Sequence, residues 1–492
     1  MGKLSRLALV LILFVYAVTA ILYAVYTPPW QAPDEPAHYN YIRALAEERM
    51  LPVIEEGDYD QEYLSRLTSQ KFPPELSIAP LRYEDHQPPL YYLLGVPVYL
   101  LFNGALIPLR LLSVALGLLL LTVVYRLVRT LFPDCPFLAL GVLALIAFLP
   151  QHVAMTAAVN NDTLAELVLA TALWLAVRPN PHPWPLGAVL GLALLTKTTA
   201  YVALPVALLA LWWNGTPINA DGRGCSPDSL STRARPRPAL RAAARTGRML
   251  LAALLLAGPW LVRNATVYGW TDPLGLARHN IVVQGQPRTA EWLAQYGFVG
   301  LAVRFLRTTF QSFWGQFGWM GVPMHPPVYL ALAVLSALLG LGFLAWWRDR
   351  RRPRLTLLQR RGAILLALSA TLTVLSYLWY NLTFVQHQGR YLFPALAPLA
   401  LAGALGLEWW TGRRGGILLV GLGLMGIPLA MAWALRRLAL PLWGAMVVLL
   451  PALWLPALFS SHLRRPLMLA AWTVGMLGLN LYAIFWGIIP AL

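Results

Sequence analysis

Apolar stretches of roughly 20 residues recur from end to end of this 492-residue chain, separated by short breaks rich in arginine. About that many residues, rising 1.5 Å each along a helix, cross the ~30 Å hydrocarbon core of a bilayer. Unpaired backbone amides are costly there, and a helix satisfies its own. The pattern therefore confines the chain to an all-α, polytopic integral membrane protein. Composition agrees, because with 58% hydrophobic and 12% charged residues there are too few charges to cover a soluble globule. Nothing of ordinary domain size is left over, and residues 1–492 read as one transmembrane domain.

With the N-terminus inside, spans fall near 7–26, 108–127, 135–152, 162–178, 184–196, 198–213, 247–262, 326–347, 363–383, 393–411, 415–434, 439–459 and 467–489, about thirteen in all. This threading puts 23 of the 38 basic residues in inner breaks, as the positive-inside rule expects. The net charge of +17 thus follows from membrane topology, and no nucleic-acid partner is implied. The first apolar run exceeds the 7–15 residues of a signal-peptide core and reads as a span. Cys135 and Cys225 both fall on the inner side, which argues against a disulfide. Residues 89–103 are too short to cross and read as an interfacial or half-buried helix, while 184–196 and 198–213 are short enough to be one broken helix. Residues 214–246, with Gly, Pro, Ser and repeated Arg, read as a flexible inner linker. No internal repeat is visible, which weighs against transporters built from duplicated halves.

Two outer loops are large, 27–107 and 263–325, and the first holds 12 of the 21 acidic residues. Pro36 sits where a helix can begin, with Tyr41, Ile42 and Leu45 at helical spacing, so a juxtamembrane helix lying on the bilayer is expected. The aromatics of the second loop, from Trp292 to Trp319, favour the interface as well.

Polar chemistry concentrates at the ends of the first loop. Pro33-Asp34-Glu35-Pro36-Ala37-His38-Tyr39 follows the first span, and Glu84-Asp85-His86-Gln87-Pro88-Pro89-Leu90-Tyr91-Tyr92 leads back into apolar sequence. Asp34 and Glu35 fit helix capping. They equally fit a pair that binds a divalent cation or takes a proton from an acceptor hydroxyl, since His38 stands one turn away. Lys197, at a membrane boundary, either snorkels or meets a phosphate. Arg390, near His387 in a short outer loop, offers the planar fork that matches phosphate oxygens. Asn160, Asn161 and Asp162 open a span and fit capping, and Arg110 and Ser113 read as structural.

These two segments, with Val159-Asn160-Asn161-Asp162-Thr163-Leu164-Ala165, Lys197-Thr198-Thr199, Ser312-Phe313-Trp314-Gly315-Gln316-Phe317-Gly318-Trp319 and Gln388-Gly389-Arg390-Tyr391-Leu392-Phe393-Pro394, resemble the GT-C superfamily of polyprenyl-phosphate-sugar glycosyltransferases. That superfamily includes protein O-mannosyltransferases and lipid A aminoarabinose transferases, and the likeness is closer to a bacterial family of predicted membrane proteins grouped with it. The resemblance implies transfer of a sugar from a polyprenyl-phosphate donor to a lipid, glycan or protein acceptor, with inversion, at the outer face of a bacterial inner membrane. It assigns the catalytic or metal-organising role to Asp34, with Glu35 beside it. His38, Asp85, His86, Gln87, Asn161, Asp162, Lys197, His387 and Arg390 are the expected substrate contacts. A divalent Mg or Mn ion is an expected cofactor, with Asp34, Asp85 and His86 as ligands. A departure from the family pattern is that His86 and Gln87 fill the two positions before Pro88 where a second acid is usual, so Asp85 or Glu84 would have to reach the metal from a shifted position, or His86 would replace the carboxylate as ligand. The rival readings are a polymerase or ligase that joins glycans from lipid pyrophosphate, and a non-catalytic lipid or glycan transporter.

Overall fold

The computed structural model describes residues 3–215, 238–412, 415–416 and 461–492. The expected spans at 415–434 and 439–459 and most of the 214–246 linker lie outside the described residues. The described residues form helices joined by loops, with one antiparallel hairpin of β1 (Gln316–Phe317) and β2 (Val322–Pro323) and an isolated bridge between Arg288 and Phe384. Among the described residues seven helices are long and apolar enough to cross a membrane, or eight if one bent pair counts as a crossing.

The first half runs α1 (Lys3–Tyr26), α2 (Glu35–Glu47), α3 (Gln61–Ser69), α4 (Leu90–Leu101), α5 (Leu106–Leu131), α6 (Pro136–Ala147), α7 (Pro150–Thr156), α8 (Asp162–Ala176), α9 (Pro183–Leu194) and α10 (Ala203–Gly215), with a 3-10 turn at Thr198–Val202. The expected span at 135–152 is broken: α6 and α7 meet at 71°. Pro150 has no N–H to continue the ladder and disfavours helical backbone at Leu149, so the chain turns there. α6 is buried almost all round, from Leu138 to Ala147, as a helix apolar on every side must be. It forms the centre of the main core with α1, α5 and α16. The expected crossings at 162–178, 184–196 and 198–213 are helices of 15, 12 and 13 residues, each below the usual crossing length.

The second half runs α11 (Pro238–Tyr268), α12 (Leu276–Val282), α13 (Thr289–Trp314), the hairpin, α14 (Pro326–Arg348), α15 (Leu357–Tyr380), a 3-10 helix at Gly389–Ala395, α16 (Leu396–Thr411) and α17 (Ser461–Tyr482). α11 takes in 238–246, so that part of the expected linker is helix. α14 and α16 pack closely because Gly406 has no side chain: a Cβ there would lie 2.3 Å from the Leu339 carbonyl oxygen. Small residues at such crossings let membrane helices approach where dispersion rather than water drives them together.

The segment between α1 and α5 packs onto the rest of the protein. Tyr41 and Ile42 of α2 are wholly buried, and a Cβ at Gly95 of α4 would lie 2.7 Å from Ile42 Cδ1. The apolar stripe of α2 thus forms the α2–α4 interface. The second segment divides its faces in the same way. Ser312, Trp314 and Phe317 are buried, whereas Phe298 and Val299 project outward.

Candidate active site

Asp34 occupies the N-cap position of α2 but does not cap it. Its backbone is left-handed, with φ of 66°, and its carboxylate accepts no bond from the helix amides. A non-glycine residue held there is strained, and such strain persists only where the surroundings over-determine it. The carboxylate instead accepts a hydrogen bond from the Tyr83 hydroxyl at 3.0 Å and from Arg390 Nη2 at 2.5 Å. The Asp34 side chain keeps 23% of its surface exposed. Burial acts to raise its pKa, but Arg390 and then His38 outweigh this and hold the carboxyl below its ordinary value.

Glu35 is one residue away and does different work. It is fully buried and takes four donors: Arg110 Nε at 2.8 Å and Nη2 at 2.6 Å, and the amides of Trp30 and Val159 at 3.1 Å each. Arg110 spends its remaining donors on the carbonyls of Ala24, Thr27 and Pro28 at the end of α1. The pair ties α1, α2, α5 and the loop before α8 together. Such a carboxylate, its acceptor positions taken by Arg110 and two amides, is a girder of the site, which gives Glu35 a supporting place beside Asp34.

Arg390 is placed by its neighbour. The Gly389 amide donates to Ser312 Oγ at 2.7 Å, and a Cβ at Gly389 would lie 2.4 Å from Phe313 N and Thr309 O, so only glycine lets the 3-10 helix sit against α13. Opposite, Lys197 Nζ donates to Asp162 Oδ1 at 2.5 Å. Asn161 Nδ2 lies 3.4 to 3.5 Å from Gln87 Oε1, the Tyr92 hydroxyl and the Thr196 carbonyl, and makes no cap bond. His38 Nδ1 is 2.9 Å from the same Tyr92 hydroxyl. The segments around Asp34, Gln87, Asn161, Lys197, Ser312 and Arg390 therefore meet at one place.

Three expected contacts stand apart. Asp85 accepts from Arg82 Nε at 2.8 Å, and burial pushes its carboxyl up to about 7 despite that bond. His86 Nδ1 is 3.1 Å from the Tyr83 carbonyl, and its ring packs 4.5 Å from His279 of α12. Burial, reinforced by His279, keeps His86 neutral. His387 is held edge-on between Trp292 and Phe305 of α13. The proposed ligand set of Asp34, Asp85 and His86 does not converge, and among the described residues no three His, Cys, Asp or Glu side chains gather as metal ligands. The guanidinium bonded to Asp34 also opposes a second cation there, so these residues do not fit a metal.

Of the two acids that the sequence left open before Pro88, Glu84 rather than Asp85 is the one beside Asp34. The Glu84 carboxyl is raised mainly by burial, with the Asp34 charge adding to this and His38 opposing it. Its Oε2 is buried with no hydrogen-bond partner among the described residues. Two interacting carboxyls whose environments push them apart, one ionised and one held toward its proton, are a common signature of acid–base sites. The acid-rich run before Pro88 was the signal. Which of its two acids turns inward was not.

Residues 86–220 match the family model described as dolichyl-phosphate-mannose-protein mannosyltransferase, a stretch that carries Gln87, Asn161, Asp162 and Lys197. The fold is shared with ArnT from Cupriavidus metallidurans. Its structure bound to undecaprenyl phosphate superposes with a TM-score of 0.54 at 15% identity, over 96% of this chain and 77% of that one. The apo form gives 0.52 at 16%, over 96% and 76%. The archaeal oligosaccharyltransferase AglB from Archaeoglobus fulgidus, in complex with an inhibitory peptide and a dolichol-phosphate, reaches only 0.45 at 15% identity, over 96% of this chain and 56% of that one, too loose a likeness to carry an argument. No curated protein matches the chain by sequence. The class these features define is a polytopic membrane protein of the GT-C fold. The resemblance read from the sequence holds at that level, with its narrowest support in the mannosyltransferase-like stretch.

Proposed function

We propose that the chain is a membrane glycosyltransferase that moves a sugar from a polyprenyl-phosphate donor to an extracytoplasmic acceptor at the outer face of a bacterial inner membrane. The observation that carries this reading is the strained, ionised and partly exposed Asp34 carboxylate, set beside Arg390 rather than spent on capping. Asp34 takes the proton of an acceptor hydroxyl as the acceptor oxygen bonds to the anomeric carbon. The bond from that carbon to the phosphate oxygen breaks, its electron pair leaves with the lipid phosphate, and direct displacement inverts the centre.

Charge accumulates on the departing phosphate, so fixed cations there lower the barrier. Arg390 Nε is buried without a partner among the described residues, a free donor in a guanidinium already oriented by Asp34. Lys197 supplies the second cation.

The test is the purified protein in lipid nanodiscs with a panel of synthetic undecaprenyl-phosphate sugars, following release of lipid phosphate and the acceptor product. A product longer by one sugar supports the reading. A lengthened glycan chain made from lipid pyrophosphate would move the assignment to a polymerase or ligase. Absence of lipid phosphate release across the panel would defeat it.

A further inference from the structure

At the end of the bundle away from Asp34 lies a cavity of about 910 Å³ between α14, α15 and α16. α15 links the two places. Tyr380 at its far end packs 6.0 Å from Tyr391, next to Arg390, while Leu357 begins the helix at the cavity. Its 24 residues put roughly 36 Å between them at 1.5 Å per residue. This cavity therefore belongs to a separate site.

Its wall has two chemistries. Arg348, Arg350, Arg352, Arg354 and Arg360 line the mouth with Asp349 as the single acid, and none of the five forms an ion pair among the described residues. Ile364, Ala367, Leu399 and Ala402 make an apolar wall, on which Ile364 and Leu399 are exposed. Arg352 is the built feature. Its guanidinium lies 4.0 Å over the Trp346 ring, and its Nη1 is buried with no partner among the described residues. A buried donor on a cation without an acceptor is costly unless a ligand supplies one. Trp346 and Trp347 are of the residue type that anchors at headgroup depth.

We propose that this cavity binds an anionic glycerophospholipid, its phosphate among Arg348 to Arg360 and one acyl chain along the α15–α16 wall. A zwitterionic lipid would cover the same wall but leave the surplus of positive charge at the mouth uncompensated. A lipid seated here braces the ends of three helices, one of which, α16, continues the 3-10 helix that carries Arg390. The inference needs only a membrane-embedded chain and stands apart from the transferase reading.

Native mass spectrometry of the delipidated full chain tests it, with phosphatidylglycerol and phosphatidylcholine of matched acyl chains, and glycerol 3-phosphate as a soluble competitor. Phosphatidylglycerol should be retained at least tenfold better than phosphatidylcholine. Each arginine near the headgroups contributes about 1 kcal/mol, or about fivefold, so Arg352→Gln with Arg354→Gln should weaken retention about 25-fold. The exposed pair Arg350→Gln with Arg354→Gln serves if the first does not fold, and Arg304→Gln, on α13, should change nothing. Equal retention of the two lipids, or unchanged retention in a folded variant, would overturn the proposal. Displacement by millimolar glycerol 3-phosphate would also overturn it, because the site would then read phosphate without a lipid.

Discussion

Replacing Glu35 with Gln should damage the fold far more than the chemistry. The carboxylate accepts four donors, two of them from an Arg110 guanidinium that is only 2% exposed. Gln retains one acceptor oxygen, turns an NH₂ group toward other donors and leaves Arg110 as an uncompensated buried charge. Breaking a buried pair from one side costs about 3–5 kcal/mol, a large part of the ~5–15 kcal/mol that stabilises a typical protein. Intrinsic tryptophan fluorescence during thermal unfolding in detergent should show a much lower midpoint for Glu35→Gln. Removing both charges, in Glu35→Gln with Arg110→Met, should recover part of the loss. Recovery stays incomplete because Arg110 also holds the Ala24, Thr27 and Pro28 carbonyls. A Glu35→Gln protein that unfolds like the wild type and yet fails in sugar transfer would refute the division of labour between the adjacent acids.

Further outcomes follow from the site. Arg390→Lys keeps the charge but loses the planar fork, so KM for a polyprenyl-phosphate sugar should rise about tenfold, against no more than about twofold for Arg304→Lys. Asp34 works as a base only when ionised, and Arg390 and His38 hold its pKa below the ordinary value of about 4, so activity should fall only as pH drops through that lowered value. Initial rates at pH 5 should therefore match those at pH 7 within about twofold, and an acid limb centred above pH 5 would contradict this. In a cysteine-free background, Ser65→Cys and Thr356→Cys should label from opposite sides of sealed inverted vesicles, and labelling of both from one side would overturn the threading.

The fold class was legible because membrane solvation leaves a chain few choices: recurrent 20-residue apolar runs must become helices. The lengths of the helices were not, because α8, α9 and α10 are as apolar as spans yet shorter, and α6 and α7 turn at Pro150. The sequence also pointed to segments that the structure brings together around Asp34, since polar clusters at membrane boundaries are costly without a purpose. The partners were beyond its reach. Arg390 lies 356 residues from Asp34, and Arg110 lies 75 from Glu35. Within each acidic pair, adjacent residues on a turn diverge: Asp34 and Glu84 face the site, while Glu35 goes to Arg110 and Asp85 to Arg82. No spacing rule reveals that choice, because tertiary contacts decide it.

Asp34→Asn bears most directly on the central claim. Asn tolerates left-handed backbone and keeps an oxygen for the Tyr83 hydroxyl; its NH₂ then faces Arg390, so some stability is lost, less than at the fully buried Glu35 because the Asp34 side chain is 23% exposed. Sugar transfer by the purified variant in nanodiscs, with its thermal unfolding measured alongside, should fall about 10²–10⁴-fold while the protein remains folded. Near-normal transfer by a folded Asp34→Asn protein would contradict the account and leave this carboxylate as no more than the ion-pair partner of Arg390.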